Sequence, residues 1–451
     1  MAAKSTQMHL GVLLLAAGNI VSGWRLPEAE AGAQNFPLIN KVTKKAEQAK
    51  LDFVFLADGL NSFAGMHPSM VVRLEPLTLL GALAMTTNRI GLAATASTTY
   101  TEPYNLARML ASLDHLTGGR IAWNVVTGAF AEAADNFSAA KHPPHDERYA
   151  IAEEFVAVAK GLWDSWEEDS VTMEKASGKF IDAAKLHVLN HKGSFFNVKG
   201  PLNITRPPQG YPVLMQAGAS DSGTNFAASI ADVVFTVQQN KDTAIAFANR
   251  LKAVAEQRFQ RNPAHLKIMP GVCAIVGATQ AEAKAKLAEI GALTDPVYAM
   301  KVLSERMGSD MSSYPLDGPV PALPPSTIMQ GHAITLAETA RRRNMTLREL
   351  RDLVGLSMGH KLMCGTPEQI ADEMEEWFRD GAADGFNLLP PYFPGAFEDF
   401  ADQVIPVLQK RGLFRTEYTG HTLRDHLGIP RPEHPAKQRS TSKEGARQAV
   451  T

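Results

Sequence analysis

The sequence predicts an α/β fold and, within that class, a single (β/α)8 TIM barrel with insertions. Short apolar runs alternate with helical patterns along the chain, which is typical of repeated strand–helix units. These runs are continuously apolar rather than alternating, as expected for parallel strands buried on both faces. About eight such runs are present, which is the number that closes a barrel of this kind.

Each predicted strand lies in a short apolar segment. In chain order the segments are MHLGVLLLAAG, DFVFLADG, RIGLAATAS, RIAWNVVTG, YPVLMQAG, ADVVFTV, HLKIMPGVCAIVG and GFNLLPP. A doubly wound open sheet is the alternative. The barrel is favoured because the first strand is followed by AAGNIVSGW instead of the G-x-G-x-x-G of dinucleotide-binding folds. Polar residues also follow several different strands, as they do at barrel active sites.

We expect one domain over residues 1–430, with insertions near residues 170–208 and 295–343. The first insertion contains GSFFNVKGP, which predicts a hairpin. The second contains YPLDGPVPALPPS and is too long for an ordinary strand–helix connection. Residues 431–451 are polar, and we expect them to form a disordered tail.

Composition restricts the possible functions. The chain carries 45 basic and 47 acidic side chains, a net charge of −2, and therefore gives no electrostatic reason to expect nucleic acid or an anionic membrane as a partner. No apolar run approaches the ~20 residues of a membrane span. The 2 cysteines cannot form a disulfide framework. We expect a cytoplasmic protein without a metal site, since His142 and His145 lack a companion ligand motif.

Polar side chains follow three of the predicted strands. Asp58 ends the second strand, Thr95 and Ser97 lie at the end of the third, and Asn124 and Thr127 lie at the end of the fourth. In a barrel the carboxyl ends of all strands meet at the rim where chemistry takes place. Each residue alone has a simpler explanation, such as a turn-forming role for Asp58. Together they predict one site.

Two further segments indicate an anion site. In QAGASDSGTNFAA, Gly218 allows close approach of a ligand to the backbone, and Ser220 can cap the following helix, whose free N–H groups favour a phosphate. A plain helix cap is the alternative. In HDERYAIAEEF, His145, Arg148 and Tyr149 share one helical face, and the histidine and tyrosine can donate to ligand oxygens. A solvated helix start is the alternative there.

Five longer segments resemble the bacterial luciferase-like flavin monooxygenases. The segments are ASTTYTEPYNLARMLASLDHLTGGRIAWNVVTG, HDERYAIAEEF, LWDSW, GPLNITRPPQGYPVLMQAGASDSG and GTPEQIAD. Within that family they are most similar to the branch of nitrilotriacetate, EDTA, dibenzothiophene-sulfone and long-chain-alkane monooxygenases. The resemblance extends roughly from Met8 to Pro430.

The resemblance implies an enzyme that uses reduced FMN and O2 to oxidise a small organic substrate, by hydroxylation or by C–N or C–S cleavage. It also implies a separate NAD(P)H:flavin reductase that supplies FMNH2, and a homodimer or homotetramer. The flavin contacts that it implies are Asp58, Thr95, Ser97, Asn124, Thr127, His145, Tyr149, Gly218 and Ser220. An F420-dependent oxidoreductase on the same barrel, or a flavin-binding relative without catalysis, is the alternative.

Two residues are our catalytic candidates. Asn19, in GNIVSGWRLP, stands where the resemblance leads us to expect a histidine, and asparagine cannot titrate near neutral pH. An acid or base role at this position would be lost or moved to another residue. His360, in SMGHKLMCGT, follows a glycine in a turn and could reach a pocket, with a surface position as the alternative.

Overall fold

The computed structural model describes residues 7–437, apart from residues 31, 33, 65, 129, 139–140, 219 and 323–329. The strands in these ranges are β1 (His9–Leu13), β2 (Phe53–Leu56), β3 (Gly91–Ser97), β4 (Ile121–Val126), β5 (Val171–Glu174), β6 (Lys179–Ile181), β7 (His191–Lys192), β8 (Asn197–Val198), β9 (Val213–Ala217), β10 (Val233–Thr236), β11 (Lys267–Val276), β12 (Lys361–Gly365) and β13 (Gly385–Leu388).

Helices connect and flank these strands. They are α1 (Phe36–Gln48), α2 (Pro68–Val71), α3 (Pro76–Ala84), α4 (Pro103–Thr117), α5 (His145–Trp163), α6 (Asp221–Ile230), α7 (Lys241–Phe259), α8 (Gln280–Leu293), α9 (Pro296–Met307), α10 (Gln330–Arg343), α11 (Leu347–Ser357), α12 (Pro367–Arg379), α13 (Gly395–Asp399), α14 (Ile405–Lys410) and α15 (Leu423–Leu427). Within the described ranges, none of these helices is long and apolar enough to cross a membrane.

Eight parallel strands close into a barrel in the order β1-β2-β3-β4-β9-β10-β11-β13. The closure is visible at β1, where Val12 pairs with Val54 of β2 on one side and with Leu388 of β13 on the other. Each of the eight predicted segments contains one of these strands, so the predicted barrel is confirmed. The ninth strand of this sheet, β12, was not predicted; it pairs only with the far half of β11 and is partly exposed.

Local sequence signals explain where helices begin and end. α12 begins with a capping box, in which Thr366 and Gln369 satisfy each other's backbone N–H groups, and Pro367 occupies the first turn. α4 ends at Gly118, whose φ of 66° is the left-handed conformation that glycine adopts without strain.

Two apolar cores hold the barrel together. The larger lies between strands and helices and contains Trp123 and Phe155. The smaller fills the barrel interior and contains Phe53 and Met215. Leu423 of α15 belongs to this interior cluster, so the carboxyl-terminal segment closes the barrel at its amino-terminal end. The other end of the barrel, at the carboxyl ends of the strands, is not covered by this segment, and it is the end where active sites of such barrels lie.

The two predicted insertions form compact structures. The first holds two antiparallel hairpins, β5–β6 and β7–β8, and the second of these confirms the hairpin predicted around GSFFNVKGP. The second insertion holds α9, α10 and α11, which share an apolar cluster that includes Leu303 and Leu350. It extends beyond Arg343, because α11 packs with α9 in that cluster. Residues 323–329 of its proline-rich part lie outside the described residues.

The predicted disordered tail is wrong for its first residues. Arg431 Nε donates to the carbonyl oxygen of Pro208 at 2.7 Å, and the buried ring of His434 lies 3.0 Å from the carbonyl oxygen of Asp164. Residues 431–437 are thus anchored by polar contacts to distant parts of the chain, which composition alone does not reveal. The rest of the predicted tail, residues 438–451, lies outside the described residues.

Candidate active site

The predicted cofactor residues on strands lie along one side of the barrel rim. The four strands concerned, β2, β3, β4 and β9, are consecutive neighbours in the sheet. Because they are parallel, their carboxyl ends meet at the same rim. We refer to this group as the rim arc; its members are Asp58, Thr95, Ser97, Asn124, Thr127, Gly218 and Ser220.

Thr95 and Asn124 occupy the centre of the rim arc. They pair in register across β3 and β4, and Asn124 Nδ2 donates to Thr95 Oγ1 at 2.9 Å. Both residues are buried. Asn124 Oδ1 has no hydrogen-bond partner among the described residues, and a buried acceptor left in that state costs about 1–3 kcal/mol. A ligand N–H group would satisfy it.

Ser97 and Thr127 lie in a hydrogen-bonded connection between the loops that follow β3 and β4, with Thr99 as the link between them. Ser97 Oγ accepts the backbone N–H of Thr99 at 3.2 Å, and Thr99 Oγ1 donates to the carbonyl oxygen of Thr127 at 2.7 Å. The backbone of Thr127 therefore has a structural part in the site. A cofactor contact of its side chain stays a prediction.

A hydrogen-bonded pair beside these loops was not predicted. Tyr100 Oη and His142 Nδ1 are 2.6 Å apart, and the ring of Tyr100 stacks on Phe137 with 4.8 Å between centroids. Burial lowers the pKa of His142, as does the charge of Arg148, so the imidazole is neutral at neutral pH. Tyr100 stands in the STTY segment that carried the resemblance, but nothing local in the sequence links it to His142.

The two histidines considered as metal ligands have other partners. His142 contacts Tyr100, whereas His145 Nδ1 lies 2.8 Å from Asp146 Oδ1. Within the part of the chain that the structure describes, no group of three or more histidine, cysteine, aspartate or glutamate side chains is arranged to hold a metal ion.

Tyr149 and Ser220 meet at the start of α6. Ser220 Oγ accepts the backbone N–H of Gly223 at 3.1 Å, which caps the helix. A Cβ atom on Gly223 would lie 2.9 Å from Tyr149 Oη and 3.0 Å from Ser220 Oγ, so the two hydroxyls crowd the same spot. Burial raises the pKa of Tyr149, against the opposing effects of Ser220 and Arg148, and the phenol remains a proton donor at neutral pH.

His145 and Arg148 complete this end of the rim. The ring of His145 lies 5.0 Å from that of Tyr149, one helical turn further along α5. Arg148 is buried, its Nη1 donates to the carbonyl oxygen of Pro143 at 2.8 Å, and its Nε has no partner among the described residues. The charge of Arg148 acts on Tyr149, whose hydroxyl lies at the start of α6, and both this charge and the positive end of the α6 dipole favour an anion.

Asp58 forms an ion pair at the β2 end of the rim arc. Arg73 Nε lies 2.9 Å from Asp58 Oδ1. Burial raises the pKa of Asp58, although the charge of Arg73 and the backbone N–H of Gly59 oppose this effect. The turn-forming alternative does not account for this pairing with a residue in a distant part of the loop.

His360 lies inside the barrel, on the side opposite the rim arc. Its ring stacks on Phe235 of β10 with 5.3 Å between centroids, and a Cβ atom on Gly271 of β11 would lie 2.3 Å from its Nδ1. The surface position considered for it is therefore wrong. Burial lowers the pKa of His360 to about 3, with a contribution from the charge of Arg306, so the ring is neutral at neutral pH.

Asn19 ties two loops together. Its Nδ2 donates to the carbonyl oxygens of Leu13 at 3.0 Å and Pro390 at 3.1 Å, while its buried Oδ1 has no partner among the described residues. These bonds brace the loops that follow β1 and β13, and a catalytic role for Asn19 stays a prediction. A histidine from another loop lies nearby: His67 is buried and accepts the N–H of Ser69, whose Oγ donates to the carbonyl oxygen of Gly18.

The fold and the rim together define a (β/α)8-barrel protein with a polar layer at the strand ends and with the hydroxyl groups of Tyr149 and Ser220 close together at the start of α6. Known proteins agree with this class. The family model described as luciferase-like monooxygenase matches residues 18–384. The N-acetyl-S-(2-succino)cysteine monooxygenase of Bacillus subtilis (strain 168) is 48% identical over 436 residues, which are 96% of this chain and 99% of that protein.

Two further relatives lead to the same result. Nitrilotriacetate monooxygenase component A of Aminobacter aminovorans is 44% identical, over 95% of this chain and 98% of that protein. The crystal structure of riboflavin lyase with modified FMN and substrate riboflavin has a TM-score of 0.85 and 31% identity, over 96% of this chain and 99% of that chain. The chain belongs to the luciferase-like monooxygenase family.

These comparisons confirm the resemblance read from the sequence and the monooxygenase class. They also bear on the F420 alternative. An F420-dependent secondary alcohol dehydrogenase has a TM-score of 0.56 at 16% identity, which shows a shared fold alone.

Proposed function

We propose that the protein is the oxygenase component of a two-component system that uses FMNH2 and O2 to oxidise a small organic substrate. In this proposal a separate NAD(P)H:flavin reductase supplies FMNH2, and oxidation proceeds by hydroxylation or by C–N or C–S cleavage. The relative named component A supports a divided system. The missing G-x-G-x-x-G after the first strand supports a separate reductase.

The observation that carries the proposal is the rim arc, because its two ends suit the two ends of FMN. Ser220, Tyr149 and Arg148 would hold the phosphate at the start of α6, where a capped helix and a buried cation favour an anion. Asn124 would accept a ring N–H group through its unpaired Oδ1, beside Thr95. When bound, reduced FMN supplies the electrons that activate O2.

The other side of the barrel suits the substrate. The buried His360 and the partly buried Phe235 stack at the barrel interior, and the imidazole carries no charge at neutral pH. These two side chains would exclude water and orient the substrate against the cofactor. His360 could donate or accept a hydrogen bond at its ring nitrogens in that position.

The proposal includes a cellular setting. Because the enzyme would depend on NAD(P)H through its reductase, we place it in the cytoplasm. We also propose a homodimer or homotetramer, which size-exclusion chromatography with light scattering would distinguish.

The test is substrate-dependent turnover with purified protein, FMN, NADH and a flavin reductase, under air and under nitrogen. The compounds named for the two relatives, N-acetyl-S-(2-succino)cysteine and nitrilotriacetate, are the first substrates to try. We expect oxidised product under air only. Product under nitrogen would contradict the monooxygenase mechanism, and tight binding of F420 without binding of FMN would favour the alternative cofactor.

A further inference from the structure

A cavity of about 500 Å³ adjoins the rim arc at its β2 end. It lies where the loop after β2 meets the segments before α1 and before α5. Five of its ten lining residues have polar side chains, and none of these five has a place in the proposed cofactor site: Gln34, Asn61, Ser62, Arg73 and Asn136. Ser62 Oγ and Asn136 Nδ2 already donate to the carbonyl oxygens of Val71 and Leu60, so the side chains that favour a ligand are those of Asn61 and Arg73.

Asn61 is the most unusual residue in this wall. The residue is only 8% exposed, and neither Nδ2 nor Oδ1 has a hydrogen-bond partner among the described residues. A buried donor and a buried acceptor that are both left unmet are unfavourable, because neither regains the hydrogen bonds that it would make with water. A ligand that offers both an acceptor and a donor would supply those hydrogen bonds.

Arg73 lies against the same spot. A Cβ atom on Gly59 would be 3.3 Å from Arg73 Nη2 and 3.7 Å from Asn61 Oδ1, so the two side chains converge there. Arg73 directs Nε to Asp58 and Nη2 to the carbonyl oxygen of Gly59. Among the described residues, the hydrogen-bond contact of its Nη1 is with the thioether sulfur of Met70, at 3.0 Å.

A thioether is a weak acceptor, whereas a carboxylate forms strong, charge-assisted hydrogen bonds with a guanidinium group. A carboxylate that enters the cavity would therefore displace Met70 from Nη1. Asp58 neutralises Arg73 in the absence of ligand, which explains why the arginine can lie half-buried at the wall.

We propose that this cavity binds the carboxylate end of the substrate, and that the substrate carries an amide next to that carboxylate. Arg73 Nη1 and Asn61 Nδ2 donate to the carboxylate, and Asn61 Oδ1 accepts the amide N–H. The substrate class is thus an N-acylated amino acid or a similar compound. This inference rests on the proposed function, because it treats the ligand as the molecule that is oxidised.

The experiment measures binding of N-acetyl-S-methylcysteine and of its methyl ester to the FMN-loaded protein by calorimetry. The acid carries the carboxylate, the amide and an oxidisable sulfur, whereas the ester lacks the charge. We expect the acid to bind at least tenfold more tightly than the ester. Equal affinity for both, or binding of neither, would overturn the proposal.

Variants locate the effect. Asn61→Leu and Arg73→Lys should each weaken binding of the acid by about tenfold to a hundredfold, since each loses hydrogen bonds to a charged group. Asn88→Leu makes the same change as the first variant at an exposed position at the other end of the barrel, and it should leave the affinity unchanged. If neither cavity variant weakens binding, the cavity is not the site.

Oxidation of the acid, followed on the same samples, separates this inference from the proposed function. Selective binding of the acid that depends on Asn61, without any FMNH2-dependent oxidation of substrates, would uphold the carboxylate site and contradict the monooxygenase proposal. FMNH2-dependent oxidation of acid and ester with equal KM would uphold the monooxygenase proposal and contradict the carboxylate site.

Discussion

The two ends of the barrel differ in whether their buried polar side chains have hydrogen-bond partners within the protein. At the amino-terminal end, the Asp52 carboxylate is fully enclosed and has three partners: Arg415, the ring of His9 at 3.1 Å and the backbone N–H of Leu10 at 2.7 Å. Burial acts to raise the pKa of Asp52, but the charges of Arg415 and His9 hold it below its ordinary value. The carboxylate of Asp114 likewise accepts hydrogen bonds from the backbone N–H and from Nε2 of Gln209.

At the carboxyl-terminal end, buried amides are left incomplete. Asn124 Oδ1, Asn19 Oδ1 and both amide atoms of Asn61 lack partners among the described residues. The amino-terminal end has unpaired atoms of its own, Arg415 Nη1 and the ring nitrogens of His426, yet the buried carboxylates of Asp52 and Asp114 both have partners there. The amino-terminal end, where these carboxylates have protein partners, is called the complete end below; the carboxyl-terminal end, where buried amide atoms remain for a ligand to pair with, is called the incomplete end.

The largest expected effect concerns the complete end. Asp52→Asn leaves Arg415 buried without its counter-charge, which should lower the free energy of unfolding by about 3–5 kcal/mol. The FMN affinity of the folded fraction should not change, because the substitution lies at the far end of the barrel. Urea denaturation and calorimetric FMN titration measure the two quantities. A large loss of FMN affinity with an unchanged unfolding free energy would contradict the claim that Asp52 stabilises the fold without taking part in cofactor binding.

The next effect concerns the anion site. The double variant Tyr149→Phe, Ser220→Ala should weaken FMN binding by about tenfold to a hundredfold, since hydrogen bonds to a charged group are lost. Its unfolding free energy should fall by only about 1 kcal/mol, from the missing helix cap. Thr279→Ala removes the corresponding cap of α8 and is the matched control. If it weakens FMN binding as much, the effect is not local.

A pH experiment examines the amino-terminal end again. Burial lowers the pKa of His426 from 6.5 to about 4, with a contribution from Arg415. Between these values the unfolded state binds a proton that the folded state does not, so stability falls as the pH falls. This residue contributes at most about 1.4 kcal/mol for each pH unit. The unfolding free energy of His426→Gln should therefore decline less steeply from pH 6.5 to 4, and an equal slope would refute this assignment.

The smallest effect on stability is expected at the incomplete end. Asn124→Leu removes a buried acceptor that has no partner, which stabilises the fold, and also the hydrogen bond from Nδ2 to Thr95, which destabilises it. Because the two effects oppose each other, the unfolding free energy without FMN should stay within about 1 kcal/mol of the wild-type value. FMN affinity should fall, because the ring loses its acceptor. A strongly destabilised variant would show that Asn124 is a structural residue, and its function in the site would have to be withdrawn.

The eight barrel strands were predictable because each is a continuous apolar run, a signal carried by neighbouring residues. The rim arc followed, since residues after parallel strands must share one rim. Contacts between loops were not predictable: the pairing of Tyr100 with His142 and the convergence of Asn61 with Arg73 depend on how separate loops pack. The anchoring of His434 by Asp164 is equally long-range, which is why composition could not reveal that residues 431–437 are held in place.

The central claim is that the rim arc binds FMN with its phosphate between Ser220 and Tyr149. The most direct measurement compares FMN with riboflavin, which lacks the phosphate, on the wild type and on the double variant. We predict that the wild type binds FMN much more tightly than riboflavin, and that Tyr149→Phe, Ser220→Ala largely removes this preference while its riboflavin affinity is retained. An undiminished preference for FMN in the double variant would contradict the claim.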